Sequence, residues 1–175
     1  MVDAGARPVF GYWKARIGPR GSINRHLLGY AGVDFEDRRY SAAGPLYWRD
    51  DKPNLGFDFP NLPYIIDGDF KITESKAVSY YICHKWAPGL LGATPQEKGA
   101  IVMMQNVVTD WVWTFFGMAM KSSEPPSADE VYAKAKIGLE PIVAYLGDKN
   151  WLCSAEVSMS DFLVWEGLET ILQIT

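Results

Sequence analysis

Two cysteines and two histidines in 175 residues leave little material for thiol or metal chemistry. Cys83 and Cys153 lie far apart, with no CxxC pair and no histidine at ligand spacing, so a disulfide framework, a zinc ribbon and a His-based metal site all lack their ligands. Cys83 follows Ile82 on a predicted helix, the setting of a buried and inert thiol. His26 and His84 also fall on predicted helices and read as ordinary core or surface residues. P-loop, GxGxxG, HExxH and GxSxG motifs are absent, which removes the usual phosphate cradles, zinc proteases and nucleophile elbows. There is no run of lysine or arginine. Seventeen basic residues are scattered among 21 acidic ones for a net charge of −4, a balance unsuited to nucleic acid or an anionic membrane surface. Long apolar runs are missing too: the most apolar stretch, residues 111–120, is about half of the ~20 residues a bilayer requires. Residues 1–13 contain no apolar core of signal-peptide length. These absences predict a soluble, unexported, cytoplasmic protein with reduced thiols and no metal.

What the chain does have is apolar and aromatic material: 48% hydrophobic residues, with seven Trp, nine Tyr and eight Phe. At this length a folded chain buries roughly 70% of the surface its unfolded form exposes, enough for a core without cross-links. The first half alternates short strands and helices. Residues 8–13 read as a strand through Val9, Phe10, Tyr12 and Trp13, and residues 22–31 as a helix with Ile23, Leu27 and Ala31 on one face. A second strand is predicted over 35–40. Residues 41–61 carry Gly44, Pro45, Pro53, Gly56 and Pro60 without a steady period and read as one long loop. Strands over 62–66 and 70–72, joined by Asp67-Gly68-Asp69, form a hairpin. A helix from Thr73 follows, with Val78, Tyr81, Ile82 and Trp86 sharing a face.

The character changes across the Pro/Gly-rich stretch 87–93, beyond which only helices are predicted. Thr94, Pro95 and Glu97 place a capping hydroxyl, a first-turn proline and a third-position acid ahead of a stripe of Ile101, Met104, Val108, Trp111 and Phe115. Ser127 with Glu130 opens a second helix, which Gly138 and Pro141 are expected to kink. Ser158 with Asp161 opens a third. The order predicts an α/β N-terminal thioredoxin-like domain (βαβ-ββα, residues 1–87) followed by an all-α helical bundle domain (residues 94–175).

Candidate chemistry then reduces to three places. Tyr12 ends the first strand, as either a packed strand aromatic or a phenol beside a ligand. Glu74-Ser75 stands at a helix N-terminus, where Ser75 either fills an orphan amide or helps the helix dipole receive a carboxylate. Pro63 opens a hairpin strand; if cis, it turns the main chain of Leu62 outward to pair with an extended acidic peptide.

Several longer words of sequence carry a resemblance. Val9-Phe10-Gly11-Tyr12-Trp13, the run from Leu55 through Asp58-Phe59-Pro60-Asn61-Leu62-Pro63 to Tyr64, Ile66-Asp67-Gly68 and Lys71-Ile72-Thr73-Glu74-Ser75 resemble glutathione transferases, and the Mu class in particular. The resemblance implies a transferase that joins the glutathione thiolate to soft hydrophobic electrophiles, with Tyr12 as the catalytic hydroxyl and glutathione as co-substrate rather than a bound cofactor. It implies Trp13, Trp48, Lys52 and Asn61 around the tripeptide, Leu62 ahead of Pro63 holding the cysteinyl main chain, and Glu74, Ser75 and a partner's Asp110 at the γ-glutamyl end. Phe59 resembles the aromatic key of a homodimer, and Met120 stands where the electrophile site has a Tyr in many Mu enzymes. The pattern departs from the family by about two extra residues over 16–25, by Glu74 in place of Gln and by Pro45 in place of Arg. Family members continue for several helices beyond Thr175, so part of the electrophile site is expected to be missing and Leu163, Leu168, Ile171 and Leu172 to lack cover. The alternative is a transferase-like structural or assembly subunit with little activity; a glutathione-dependent isomerase shares the same residues.

Overall fold

The structure is a computed structural model that describes residues 7–14, 20–41, 44–121 and 126–175, without the side chains of 119–121. Its contacts gather into two compact units, Met1–Ala87 and Pro88–Thr175. The first contains β1 (Val9–Trp13), α1 (Ser22–Tyr30), β2 (Glu36–Tyr40), α2 (Trp48–Asp51), β3 (Tyr64–Asp67), β4 (Phe70–Thr73) and α3 (Ser75–Trp86). The sheet runs β2-β1-β3-β4, with β1 parallel to β2 and the other neighbours antiparallel. This is the βαβ-ββα arrangement that the strand and turn signals predict.

Pleating sends Phe10 and Tyr12 to one face of β1 and Gly11 and Trp13 to the other. Helix α1 covers the Phe10 face: its Arg25 guanidinium lies 5.3 Å from the Phe10 ring and is hydrogen-bonded through Nε to Asp37 of β2 at 3.0 and 3.1 Å. Helix α3 packs beside α1 through buried Val78 and Ile82, and Ser79 Oγ donates to Asn24 Oδ1 at 2.8 Å in the seam between them. Cys83 is fully buried on the same helix, and burial pushes its thiol up to about 12, as expected of an inert core cysteine.

Two local expectations change. The long loop contains α2, a single helical turn too short to leave a periodic signal. Thr73 ends β4 instead of starting a helix, because it pairs with Tyr64 across the hairpin and its hydroxyl donates to Phe59 O at 2.7 Å. Helix α3 consequently starts at Ser75, with Glu74 as its N-cap.

The second unit contains a 3₁₀ turn (Pro88–Leu91), α4 (Pro95–Lys121), α5 (Ala128–Leu146) and α6 (Met159–Ile174). The predicted α4 stripe of Ile101, Met104, Val108, Trp111 and Phe115 is buried throughout. Trp111 is its centre. The indole Nε1 donates to Ala135 O of α5 at 2.7 Å, and a Cβ on Gly138 of α5 or Gly167 of α6 would come within 2.4 Å of the ring. Gly138 thus admits an aromatic side chain between helices, while α5 runs on through Pro141.

The capping boxes form as the spacing predicts. Thr94 N donates to Glu97 and Glu97 N to the Thr94 hydroxyl, and Ser127 with Glu130 repeats the exchange. These backbone donors hold both carboxyls below the usual range. Asp161 does more, since its Oδ2 accepts from Ser158 N at 2.8 Å and its Oδ1 from Leu152 N at 3.0 Å, tying the preceding loop to α6. Asp161→Ala should lower the unfolding free energy by about 1–2 kcal/mol, read from a urea melt, since a lost cap leaves amide donors unpaired. An unchanged midpoint would show that the loop holds itself.

Of the four residues expected to lack cover on α6, Ile171 is buried and Leu163 half-buried. Both are thus shielded from solvent, and of the four only Leu168 and Leu172 are exposed.

Candidate functional site

Tyr12 and Trp13 stand at the end of β1, where the neighbouring chain segments converge. Trp13 is 40% exposed, whereas Tyr12 is 6% exposed and its ring lies directly against Gly21, ahead of α1. The Arg25 guanidinium is 5.9 Å from the centre of the Tyr12 ring. The phenol is therefore sandwiched by the start of α1 and not displayed on an open surface. Gly11 pairs with Tyr64 in the β1–β3 register. Tyr12 follows Gly11 and Pro63 precedes Tyr64, so the phenol-bearing residue and the proline sit side by side at the ends of paired strands.

The Leu62–Pro63 peptide is cis, the geometry that the strand-opening proline invites. Asn61 binds this bend to the helix start: its Nδ2 donates to Glu74 Oε1 at 2.7 Å and its Oδ1 accepts from Leu62 N at 2.9 Å. The Leu62 amide, expected to face an extended peptide, is here engaged by Asn61. Glu74 has φ +72°, a left-handed value that a non-glycine residue adopts at a cost of about 1–3 kcal/mol. Its carbonyl still accepts the helical bond from Val78 N at 2.9 Å, and its carboxylate projects toward Asn61 while Ser75 opens α3. Asn61, Glu74 and Ser75 are thereby brought together beside the buried Leu62–Pro63 bend.

Trp48 and Lys52 come from α2. Trp48 stacks on Tyr64 with ring centres 6.1 Å apart and meets Tyr40 edge-on at 5.4 Å, while Lys52 is exposed just beyond the turn. Sequence reasoning did not single out the groups beneath them. Tyr40 and Tyr64 are fully buried, their hydroxyls are 2.8 Å apart, and Tyr40 donates to Asp51 Oδ2 at 2.8 Å. Burial raises the Tyr40 phenol above its ordinary value, and the hydrogen bonds to Tyr64 and Asp51 add to the rise. Burial raises Tyr64 as well. A usable signal was the placement of both tyrosines at strand ends, Tyr40 closing β2 and Tyr64 opening β3.

Other expected residues lie elsewhere. Phe59 is 80% exposed on the loop before Pro60. A cavity of about 420 Å³ opens between that loop and the start of α3, with Phe57, Phe59, Lys71 and Ala77 on its walls; of the expected tripeptide ligands it touches Glu74 alone, and it does not reach Tyr12. Asp110 is an exposed residue of α4 in the second unit. Met120 is in the last turn of α4, and its side chain lies outside the described residues, as do residues 16–19 of the lengthened segment 16–25. No described helix is long and apolar enough to cross a membrane.

Comparison with known proteins bears on this arrangement. The family described as glutathione S-transferase, N-terminal domain, matches residues 8–84. A class-mu 26 kDa glutathione S-transferase of Fasciola hepatica is 35% identical over 161 residues, covering 92% of this chain and 72% of the relative. Human glutathione S-transferase Mu 1 is 33% identical over 170 residues, covering 92% and 74%. Among solved structures, rat hPGDS complexed with a quinoline superposes with a TM-score of 0.76 at 22% identity, over 95% of this chain and 81% of that one, a likeness of fold.

Proposed function

This chain belongs to the glutathione S-transferase family, with class-mu enzymes among its relatives, and we propose that Tyr12 is the hydroxyl that serves its glutathione-transfer reaction. The observation that carries the reading is the union of the cis Leu62–Pro63 bend with the α3 start through Asn61 and Glu74, one strand-spacing from the end of β1. Such a surface suits a short extended peptide with a terminal carboxylate, and glutathione is one.

In this reading Leu62 pairs with the cysteinyl main chain once its amide leaves Asn61. Glu74 and Ser75 take the γ-glutamyl end, assisted by Asp110 of a second subunit, and Trp13, Trp48, Lys52 and Asn61 enclose the glycyl side. The cysteine sulfur then lies against the Tyr12 hydroxyl. A free thiol with pKa near ~8.5 is mostly protonated at neutral pH; donation from Tyr12 favours the thiolate, and each tenfold gain in the thiolate-to-thiol ratio corresponds to about 1.4 kcal/mol. The S–H proton passes to solvent, the sulfur forms a C–S bond with the electrophile, and the displaced group leaves with the bonding pair. The first unit, residues 1–87, acts as the glutathione-binding domain.

We also read the protein as a cytoplasmic homodimer. Phe59, at 80% exposure, is an apolar key awaiting a socket, and two free, buried cysteines suit a reducing compartment. The purified chain should conjugate a chloronitrobenzene with glutathione and sediment as a dimer. Absence of turnover with calorimetric glutathione binding intact would leave a binding protein; absence of both would leave a scaffold.

A further inference from the structure

The sheet face under α2 holds two fully buried phenols, and neither touches the residues assigned to glutathione through its hydroxyl. Each buried O–H must find a partner, and here the bonds have a direction. Tyr40 has one hydroxyl proton, which goes to Asp51 Oδ2 at 2.8 Å. The 2.8 Å contact between the two phenols must therefore be donated by Tyr64. The result is a chain, Tyr64 O–H to Tyr40 O–H to the Asp51 carboxylate, that starts in β3, passes through the end of β2 and finishes on α2. Arg38 of β2 attends both ends of the chain, with its guanidinium 3.9 Å from Asp51 Oδ2 and hydrogen-bonded to the Tyr64 phenol.

The packing around the chain fixes its geometry. Tyr64 lies across Gly11, where a Cβ would stand 2.2 Å from the ring, so β1 is hollowed to receive the phenol. Phe57 closes the other side of Tyr64 at 5.0 Å between ring centres, and Trp48 stacks over it. Helix α2 is one turn with no side-chain cap, too short to persist without tertiary support. Its attachments to the sheet are the Trp48 stack and the Asp51 carboxylate.

We propose that the Tyr64–Tyr40–Asp51 chain is a positioning device for glutathione binding, holding α2 against the sheet so that Trp48 and Lys52 present their side chains at the glycyl end. The proposal rests on the assignment of Trp48 and Lys52 to that end. It makes affinity for glutathione depend on Asp51 and Tyr40, and leaves the chemical step at Tyr12 alone.

The test is a split between KM and kcat. Asp51 is part-exposed, with 30% of its side chain accessible, so Asp51→Ala removes little buried volume. KM for glutathione should rise about tenfold in this variant, the scale of one charge-assisted hydrogen bond, with kcat at saturating glutathione within about twofold of the parent. Asp51→Asn, which still offers an acceptor oxygen to Tyr40, should recover most of the affinity. Hydrogen exchange at the Lys52 amide, which donates to Trp48 O at 2.8 Å, should accelerate in Asp51→Ala and not at the β1 amides. Tyr40→Phe should reproduce the KM effect from the other side of the bond. An unchanged KM in Asp51→Ala overturns the proposal, and so does a fall in kcat at unchanged KM. Lys52→Ala separates the two readings: if it leaves KM unchanged, the glycyl-end assignment is wrong; if it raises KM and Asp51→Ala does not, the assignment stands and the positioning chain falls.

Discussion

Tyr12→Phe should lower kcat for conjugation of a chloronitrobenzene by about 100-fold while glutathione binds with unaltered affinity. The magnitude is that of deleting one preorganised donor aimed at developing charge. The substitution is well suited to isolate the hydroxyl, because phenylalanine retains the ring that packs against Gly21 and under the Arg25 guanidinium. Burial strengthens the expectation: at 6% exposure the phenol is largely shielded from water, and a hydrogen bond to an anion is stronger where solvent competes less. Steady-state kinetics at saturating glutathione, paired with calorimetry, will read both quantities. A kcat that survives the change would mean that another donor stabilises the sulfur, and the Tyr12 assignment would have to be withdrawn.

Trp111→Ala should be the most destabilising single substitution in the second unit, at about 3–5 kcal/mol by urea denaturation. The indole fills the space that Gly138 and Gly167 leave open on two separate helices, and its N–H satisfies the buried carbonyl of Ala135. Removing it opens a cavity bounded by backbone, which relaxes poorly, and costs the Ala135 carbonyl the bond it accepts in addition to the one within α5. Trp111→Phe should fall between, since it keeps much of the volume and loses the donor. A loss below about 1 kcal/mol for the alanine variant would show that α5 and α6 close onto α4 without the wedge.

Much of this architecture can be read from residue patterns because the deciding interactions are local. Asp67-Gly68 specifies a turn within four residues, each capping box spans four, and the Ile101-to-Phe115 stripe repeats every three or four. The failures are long-range. Gly138 looks like a flaw in a helix until Trp111 is found beside it, and no local rule links a glycine to an indole on a different helix. Thr73 has the look of a helix cap, yet pairing with Tyr64 and the Phe59 carbonyl assign it to a strand.

The candidate site divides in the same way. The turn around Pro63 and the helix start at Glu74-Ser75 can be recognised as words in the sequence. What joins them is Asn61, and what supports α2 is the buried Tyr40–Tyr64 pair. Both depend on which strands are neighbours. The burial of Tyr12 beneath Gly21 was likewise out of reach, since Gly21 follows a segment whose pattern showed only added length.

The left-handed backbone at Glu74 sets two demands on one position that no single residue meets. Glycine would relax the main chain there but would remove the carboxylate that fastens Asn61 to the helix start. Backbone ease and the Asn61 anchor consequently pull this residue in opposite directions, and on the proposed assignment of Glu74 to the γ-glutamyl end the anchor is what a glycine would forfeit.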